Sequence, residues 1–494
     1  MKTAASAALQ GDATDLLAAM AAKETSSEAL LEHLLARIAR FDGRINAVVA
    51  KAPEAARARA READGARARG ESWGPLHGLP MTVKDAFETP QMPTTSGARE
   101  LRDYQATRPA EAVARLEAAG AIVFGKTNLP LYAGEWQSFN ALHGTTNNPW
   151  NLTRTPGGSS GGSAASLAAG FTPLELGSDV GGSIRIPSHF CGVVGHKPTY
   201  GLIPLRGHIP GPPGMISEPD LAVAGPMARS VRDCELAFRT LVGPAPEHAA
   251  AWSLSLPEAR TKALSELRVA VWIDDATCPL EADVRQALEK ALAALQEAGL
   301  RTSRVVPFRL ADHLDTYTLL LASLIGAGLP AKVRQRVRRL QPALSLAWKV
   351  KPPATPLPRH LEGLFLSHKD WLAANEARTR FAAEVTGFFE DVDVLLMPSA
   401  AWTAPPHAQK GEVLLRKIDV PSGKRPYVDH LPWVALATLA GAPATSVPVG
   451  LTAAGLPVGL QVVSAPYRDL TTLAFAREVE RVVGPVGRPP GFGP

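Results

Sequence analysis

Cysteine is scarce in this sequence: Cys191, Cys234 and Cys278 are the only three among 494 residues. An odd, widely spaced trio excludes a disulfide framework. No Cys-x-x-Cys pair offers the spacing of a structural zinc site. Long hydrophobic runs are missing too. No stretch reaches the roughly 18 apolar residues that a membrane-spanning helix needs. At the N-terminus, Asp12 and Asp15 interrupt any apolar segment that could act as a signal peptide. Charge of one sign is not gathered into one long run. The net charge is only +5 and the basic excess is scattered, which argues against a nucleic-acid partner. No internal repeat is visible. Gly-Lys-Ser/Thr does not follow the glycine-rich runs, and no Gly-x-Gly-x-x-Gly follows a strand. The two common nucleotide-cradling loops are therefore absent. These absences leave a cytoplasmic protein with reduced thiols as the expectation.

What is present is ordinary in bulk and unusual in one place. The chain is 46% hydrophobic and 20% charged, as globular proteins are. Its length allows two or three domains or one large α/β unit. Leu30, Leu31, Leu34, Leu35 and Ile38 recur at helical spacing, so a helix is expected over residues 26–40 with Ser26 or Ser27 as its cap. Residues 54–69, rich in Ala, Arg and Glu, read as a solvated helix. Gly78 to Val83 reads as a strand that delivers Lys84 near its end. A helix at 110–120 leads to a strand at Ala121–Phe124, with Gly125–Asn128 as a closing turn. Ala164 to Gly170 reads as a helix of small residues, and Ser230 or Asp233 starts another helix. Residues 245–265 read as an exposed connection. Leu267–Ile273 and Val392–Met397 are expected strands, and Glu281–Ala298 is an expected helix. Residues 315–350 combine an apolar helix with a basic one whose arginines form a solvated face, and Pro352–Pro358 is a proline-rich loop. Thr445–Val449 and Val458–Val463 flank a Gly-Leu-Pro turn and read as a hairpin. The alternation of helix and strand argues an α/β layer architecture.

The unusual place is residues 154–200. Two glycine–serine clusters, Gly157-Gly158-Ser159-Ser160-Gly161-Gly162-Ser163 and Gly181-Gly182-Ser183, bracket a small apolar segment. Such glycine density is costly to order. It fits backbone at unusual dihedrals, or backbone N–H groups that must approach a ligand. Both occur where serine is a nucleophile.

This stretch, together with Gly78-Leu79-Pro80-Met81-Thr82-Val83-Lys84-Asp85, resembles the core motifs of the amidase signature family of hydrolases. Matched position by position, Ser183 resembles the family's nucleophile, Ser159 the bridging serine in a cis peptide, and Lys84 the base. Ser183 follows Ser159 by 24 residues and Ser159 follows Lys84 by 75, both in the family pattern. The likeness runs from about residue 25 to the C-terminus and weakens between about 245 and 390. It implies a central twisted mixed sheet of many strands flanked on both faces by helices. It also implies one amidase domain over 1–494. Within it, 1–70 form N-terminal helices, 71–245 and 390–494 the catalytic core, and about 246–389 a variable segment that shapes the substrate pocket.

The resemblance assigns roles. A lysine can act as base only when neutral, which requires burial; Met81, Val83 and the glycine backbone are expected to supply it. Lys84 would take the proton of Ser159, which takes that of Ser183. The N–H groups of Val180, Gly181, Gly182 and Ser183 would form the oxyanion hole. Ser160, Asp179 and Arg185 resemble the supporting shell. No metal or organic cofactor is implied. The expected activity is hydrolysis of a bulky or aryl carboxylic amide through an acyl-enzyme on Ser183, with ester or carbamate side activity. The expected partner is a small-molecule amide, with no nucleic acid and no membrane, for a monomer or homodimer.

Four other readings compete. Gly157-Gly158-Ser159-Ser160-Gly161 also satisfies the nucleophile elbow of α/β-hydrolases, but that motif needs a buried strand before it. Pro149 and Pro156 in the preceding stretch are incompatible with a central strand. A nucleotide-binding module lacks its loop. A silent binding protein would not need all three triad positions. The alternative within the family is an amidotransferase subunit that works with partner subunits on glutamyl-tRNA. Leu319–Leu321, Trp348, Trp402 and Trp433 suit a bulky amide better.

Overall fold

Short extended runs alternate with helices along most of the chain. In the computed structural model these build one mixed sheet of eleven strands. The structure describes residue 9 and residues 11–259, 263–328, 332, 334–339, 341–342 and 357–493. Trp348 and most of the proline-rich stretch at 352–358 lie outside the described residues.

The chain starts with α1 (Ala13–Ala21) and α2 (Ser27–Ile45), capped by the side chains of Asp12 and Ser26. Next come β1 (Val48–Lys51), α3 (Pro53–Ala68), β2 (Pro80–Lys84), α4 (Glu111–Ala118) and β3 (Ile122–Thr127). A small ribbon, β4 (Phe139–Asn140) and β5 (Gly144–Thr145), precedes α5 (Gly161–Ala169). Then follow β6 (Leu174–Asp179), α6 (Arg185–Cys191), β7 (Val194–Lys197), β8 (Val223–Ala228) and α7 (Val231–Leu241), which Ser230 caps. The 246–389 segment holds β9 (Val269–Val271), α8 (Ala282–Glu297), β10 (Thr302–Arg304), α9 (Leu310–Ala327) and α10 (Leu357–Gly363), and α11 (His368–Asp391) runs just past its end. The chain ends with β11 (Val394–Pro398), a second ribbon of β12 (Lys417–Val420) and β13 (Gly423–Pro426), α12 (Pro432–Leu439), β14 (Ala444–Leu451), β15 (Pro457–Val463) and α13 (Asp469–Val483).

The spatial order is β1-β3-β2-β6-β8-β7-β14-β15-β11-β9-β10. Parallel pairs at β3/β2/β6 and β11/β9/β10 flank an antiparallel centre, and β14 and β15 form the expected hairpin. Both faces are buried, as the period-two pattern of a strand requires. In β11, Val394 and Leu396 join one core while Leu395 and Met397 join the other. The first core holds α1–α4, α7, α8 and α13; the second holds α6, α9, α11 and α12. Trp402 and Trp433 are fully buried in the second core, with Trp433 Nε1 donating to the Cys278 carbonyl at 3.0 Å. They are core aromatics.

Gly125, Lys126 and Thr127 do not form the expected turn; they extend β3, paired with Thr82, Val83 and Lys84 of β2. Their polarity is satisfied inside: Lys126 Nζ donates to the Phe87 carbonyl at 3.0 Å and to Thr94, and pairs with Asp85 at 3.5 Å. The arginines at 334, 336, 338 and 339 are exposed, as expected of a solvated face.

Candidate active site

Lys84 is the last residue of β2 and alternates with Thr82 on one face of the sheet, while Met81 and Val83 point into the opposite core. The expected burial by Met81 and Val83 is therefore incorrect. The groups around the amine are hydroxyls. Lys84 is fully buried, and Nζ donates to Ser159 Oγ at 2.6 Å, Ser160 Oγ at 3.0 Å and Ser178 Oγ at 3.0 Å. Burial pulls its pKa down to about 7, against the opposing pull of Asp179 and Glu175. Among the described residues Lys84 has no ion-pair partner. It is a lysine that can be neutral near physiological pH.

The glycine–serine clusters bring the other groups in. The Gly158–Ser159 peptide is cis. A Cβ on Gly158 would lie 2.6 Å from the Glu135 carbonyl oxygen, and one on Gly162 would lie within van der Waals overlap of the Asn128 carbonyl oxygen. Glycine is required here because backbone meets backbone. Ser183 sits in the loop between β6 and α6, and the Ser160 N–H donates to its carbonyl at 3.1 Å. Ser183 is nearly buried. Its hydroxyl makes no protein hydrogen bond among the described residues, so the Ser159–Ser183 contact is not closed in this structure.

Asp179 and Arg185 organise that loop. Arg185 Nη2 lies 2.9 Å from Asp179 Oδ1 and Nε 3.1 Å from Oδ2, both side chains fully buried. Asp179 also accepts the N–H groups of Gly182 and Ile184, each at 3.0 Å. Burial alone would raise its pKa; the guanidinium overrides this and holds it at about 2. Arg185 reaches on to the Val434 carbonyl, Gln461 and Thr438.

The expected set of oxyanion donors needs one correction. The Gly182 N–H is taken by Asp179. The N–H groups of Val180, Gly181 and Ser183 have no protein acceptor among the described residues. Two adjoining peptide planes are held through their carbonyls: Tyr317 of α9 donates its hydroxyl to the Val180 carbonyl at 2.7 Å, in the plane of the Gly181 N–H, and Trp136 Nε1 donates to the Gly181 carbonyl at 2.7 Å, in the plane of the Gly182 N–H. An atom placed as a Cβ on Gly181 would lie 3.7–3.8 Å from Trp136, Leu431 and Tyr317. Aromatic and aliphatic groups thus surround the serine loop.

Ser178, His208, Trp136 and Tyr317 are not singled out by the sequence. Ser178 stands beside Asp179 in a strand and carries no spacing signal. His208 Nε2 lies 2.9 Å from Ser178 Oγ, a contact across 30 residues that no local pattern announces. Burial, with Lys84 adding to it, lowers its pKa to about 3.

Known proteins are similar to this chain in sequence and in fold. Residues 29–473 match the Amidase family. The chain is 34% identical over 500 residues to the A subunit of a glutamyl-tRNA(Gln) amidotransferase from Anaeromyxobacter dehalogenans (strain 2CP-C), covering 96% of each. Its fold is similar to that of a bacterial aryl acylamidase of the amidase signature family, with a TM-score of 0.77, 26% identity and 96% of each chain covered. It is also similar to the corresponding glutamyl-tRNA(Gln) amidotransferase protein of Thermotoga maritima, with a TM-score of 0.73, 27% identity and 94% of each covered. Among the described residues no helix is long and apolar enough to cross a membrane. The chain is an enzyme of carbon–nitrogen bond chemistry and belongs to the amidase signature family.

Proposed function

We propose that the protein hydrolyses a carboxylic amide with a bulky or aryl group through an acyl-enzyme on Ser183. The observation that carries this reading is the buried Lys84 amine, hydrogen-bonded to three serines and, among the described residues, to no carboxylate. Neutral Lys84 accepts the Ser159 proton as Ser159 accepts that of Ser183. The Ser183 oxygen bonds to the amide carbon. The developing oxyanion faces the free N–H groups of Val180, Gly181 and Ser183, where one donor is typically worth about 3–4 kcal/mol of barrier. The proton then returns along the same path to the leaving amine as the C–N bond breaks. Water attacks the acyl-enzyme next, and the acid is released. Trp136, Leu431 and Tyr317 beside the serine loop carry no charge, which favours a neutral substrate group over a charged one. On this reading the substrate is a small molecule and the compartment cytoplasmic, and one amidase domain works as a monomer or homodimer.

A second reading has its own support. The curated relative named above is part of an amidotransferase, and its likeness spans nearly the whole chain. On that reading the same serine releases ammonia for transfer, and partner subunits and a tRNA-linked substrate replace the stand-alone hydrolase. The names of the relatives favour this second reading; the uncharged surround of the serine loop favours the first.

Amine or ammonia release from acyl anilides, primary amides including glutamine, an ester and a carbamate separates them, with Ser183→Ala run beside wild type. Turnover of a bulky amide by the isolated chain, lost in the variant, supports the hydrolase. Turnover of glutamine alone, or only with added subunits, supports the amidotransferase.

A further inference from the structure

Lys84 Nζ has three hydroxyl neighbours but, when neutral, only two N–H donors and one lone pair. Catalysis as proposed needs that lone pair on Ser159. Something must keep the other two hydroxyl protons away from it. Ser160 Oγ does so by donating to the Ser178 carbonyl at 3.3 Å. Ser178 Oγ has two partners, Lys84 Nζ at 3.0 Å and His208 Nε2 at 2.9 Å. If the Ser178 proton pointed at Lys84, it would occupy the lone pair and disarm the base.

We infer that His208 is a positioning residue: its Nε2 accepts the Ser178 hydroxyl proton, so that Ser178 and Ser160 accept both N–H bonds of neutral Lys84 and its lone pair is left for Ser159. This inference rests on the proposed roles of Lys84 and Ser183.

The surroundings fit an acceptor Nε2. His208 is nearly buried and its ring lies against Phe87, with centroids 4.8 Å apart. A neutral imidazole carries one proton, and with that proton on Nδ1 the Nε2 facing Ser178 is free to accept. The depressed pKa of His208 agrees with a ring that stays neutral while the enzyme works. No protein acceptor or donor among the described residues is bonded to Nδ1, so nothing on that side competes for the tautomer with its proton on Nδ1. The other titratable groups acting on Lys84 are Glu175 and Asp179, both on β6.

The test reads the rate at which a fluorophosphonate probe labels Ser183, against pH, in the full chain. This needs no knowledge of the substrate. His208→Phe keeps the ring against Phe87 and removes the acceptor. Its plateau rate is expected to fall about 10–100-fold, part of what a well-aligned base supplies. Its pH midpoint is expected to move down, because the Ser178 hydroxyl now donates to the neutral amine. His208→Gln, whose amide oxygen can accept, is expected to recover most of the rate. Ser178→Ala combined with His208→Phe is expected to be no slower than the slower single variant, since the effect runs through Ser178. Wild-type rate and midpoint in His208→Phe overturn the inference, as do single-variant losses that multiply in the double. Should His208→Phe not fold, His208→Gln and Ser178→Ala carry the test: a tenfold or larger loss in His208→Gln overturns it. A wild-type protein whose Ser183 does not label overturns the proposed function itself, and this inference with it.

Discussion

Lys84 Nζ stands 2.6 Å from Ser159 Oγ, across 75 residues of chain, inside a cradle of hydroxyls with no carboxylate paired to it among the described residues. The contact exists because β2 and β6 lie side by side, and because α5 begins directly after the two serines that face Lys84. Sheet topology, not sequence proximity, makes the base.

Activity should follow the ionisation of Lys84. Burial sets its pKa to about 7, so its neutral form grows as pH rises through that value. Turnover per unit substrate should rise from acid pH with a midpoint near 7 and then level off. Lys84→Ala should lose about two to four orders of magnitude. Lys84→Arg should be equally poor, since a guanidinium does not give up its proton. A variant that changes only KM would make Lys84 a binding residue.

Stability should carry the mark of Glu175. Burial raises its pKa to about 8, so the folded state holds a proton that the unfolded chain releases from about pH 4.5. The unfolded state then binds fewer protons between those values, and stability falls as pH rises through the window. Glu175→Gln should flatten this part of the profile. Denaturant midpoints at pH 5 and pH 8 measure it; an equal slope in the variant would show that Glu175 is not the group responsible.

Asp179→Ala should leave Arg185 charged, fully buried and short of its main partner. Such a loss typically costs about 3–5 kcal/mol. It also frees the Gly182 and Ile184 N–H groups, so the serine loop should loosen and activity should fall with stability. Thermal melting and turnover on the same sample check both; a variant as stable as wild type would contradict the account of this ion pair.

Tyr317→Phe removes one hydroxyl that holds the Val180 carbonyl. A net hydrogen bond of this kind is worth about 1 kcal/mol. The expected result is a several-fold lower kcat with little change in melting temperature. Because Tyr317 comes from α9, this variant also asks whether the 246–389 segment acts on the serine loop. No change in kcat would confine Tyr317 to packing.

Much of the site is legible in the sequence, for a physical reason. Ser159, Ser160, Asp179, Ser183 and Arg185 lie in or beside glycine runs, which close backbone approach justifies; Lys84 has no glycine nearer than Gly78 and is legible only through the resemblance of residues 78–85. The helices at 27–45 and 282–297 and the 444–463 hairpin have local periodicity and are equally plain. What escapes is set by long-range partners. Lys126 looks like a turn residue because its acceptors, Phe87 and Thr94, come from another loop. The face toward which Lys84 points follows from β2 pairing, so its apolar neighbours in sequence mislead. Gly182 looks like an oxyanion donor until Asp179 is seen to take its N–H. Ser178, His208, Trp136 and Tyr317 join the site from four segments with no shared motif.

The most direct test of the central claim is the mass of the protein quenched during turnover of an activated acyl anilide, followed by peptide mapping. An acyl group on Ser183, absent from Ser183→Ala and formed far more slowly in Lys84→Ala, is the predicted result. An adduct on any other residue, or one that persists in Ser183→Ala, would contradict it.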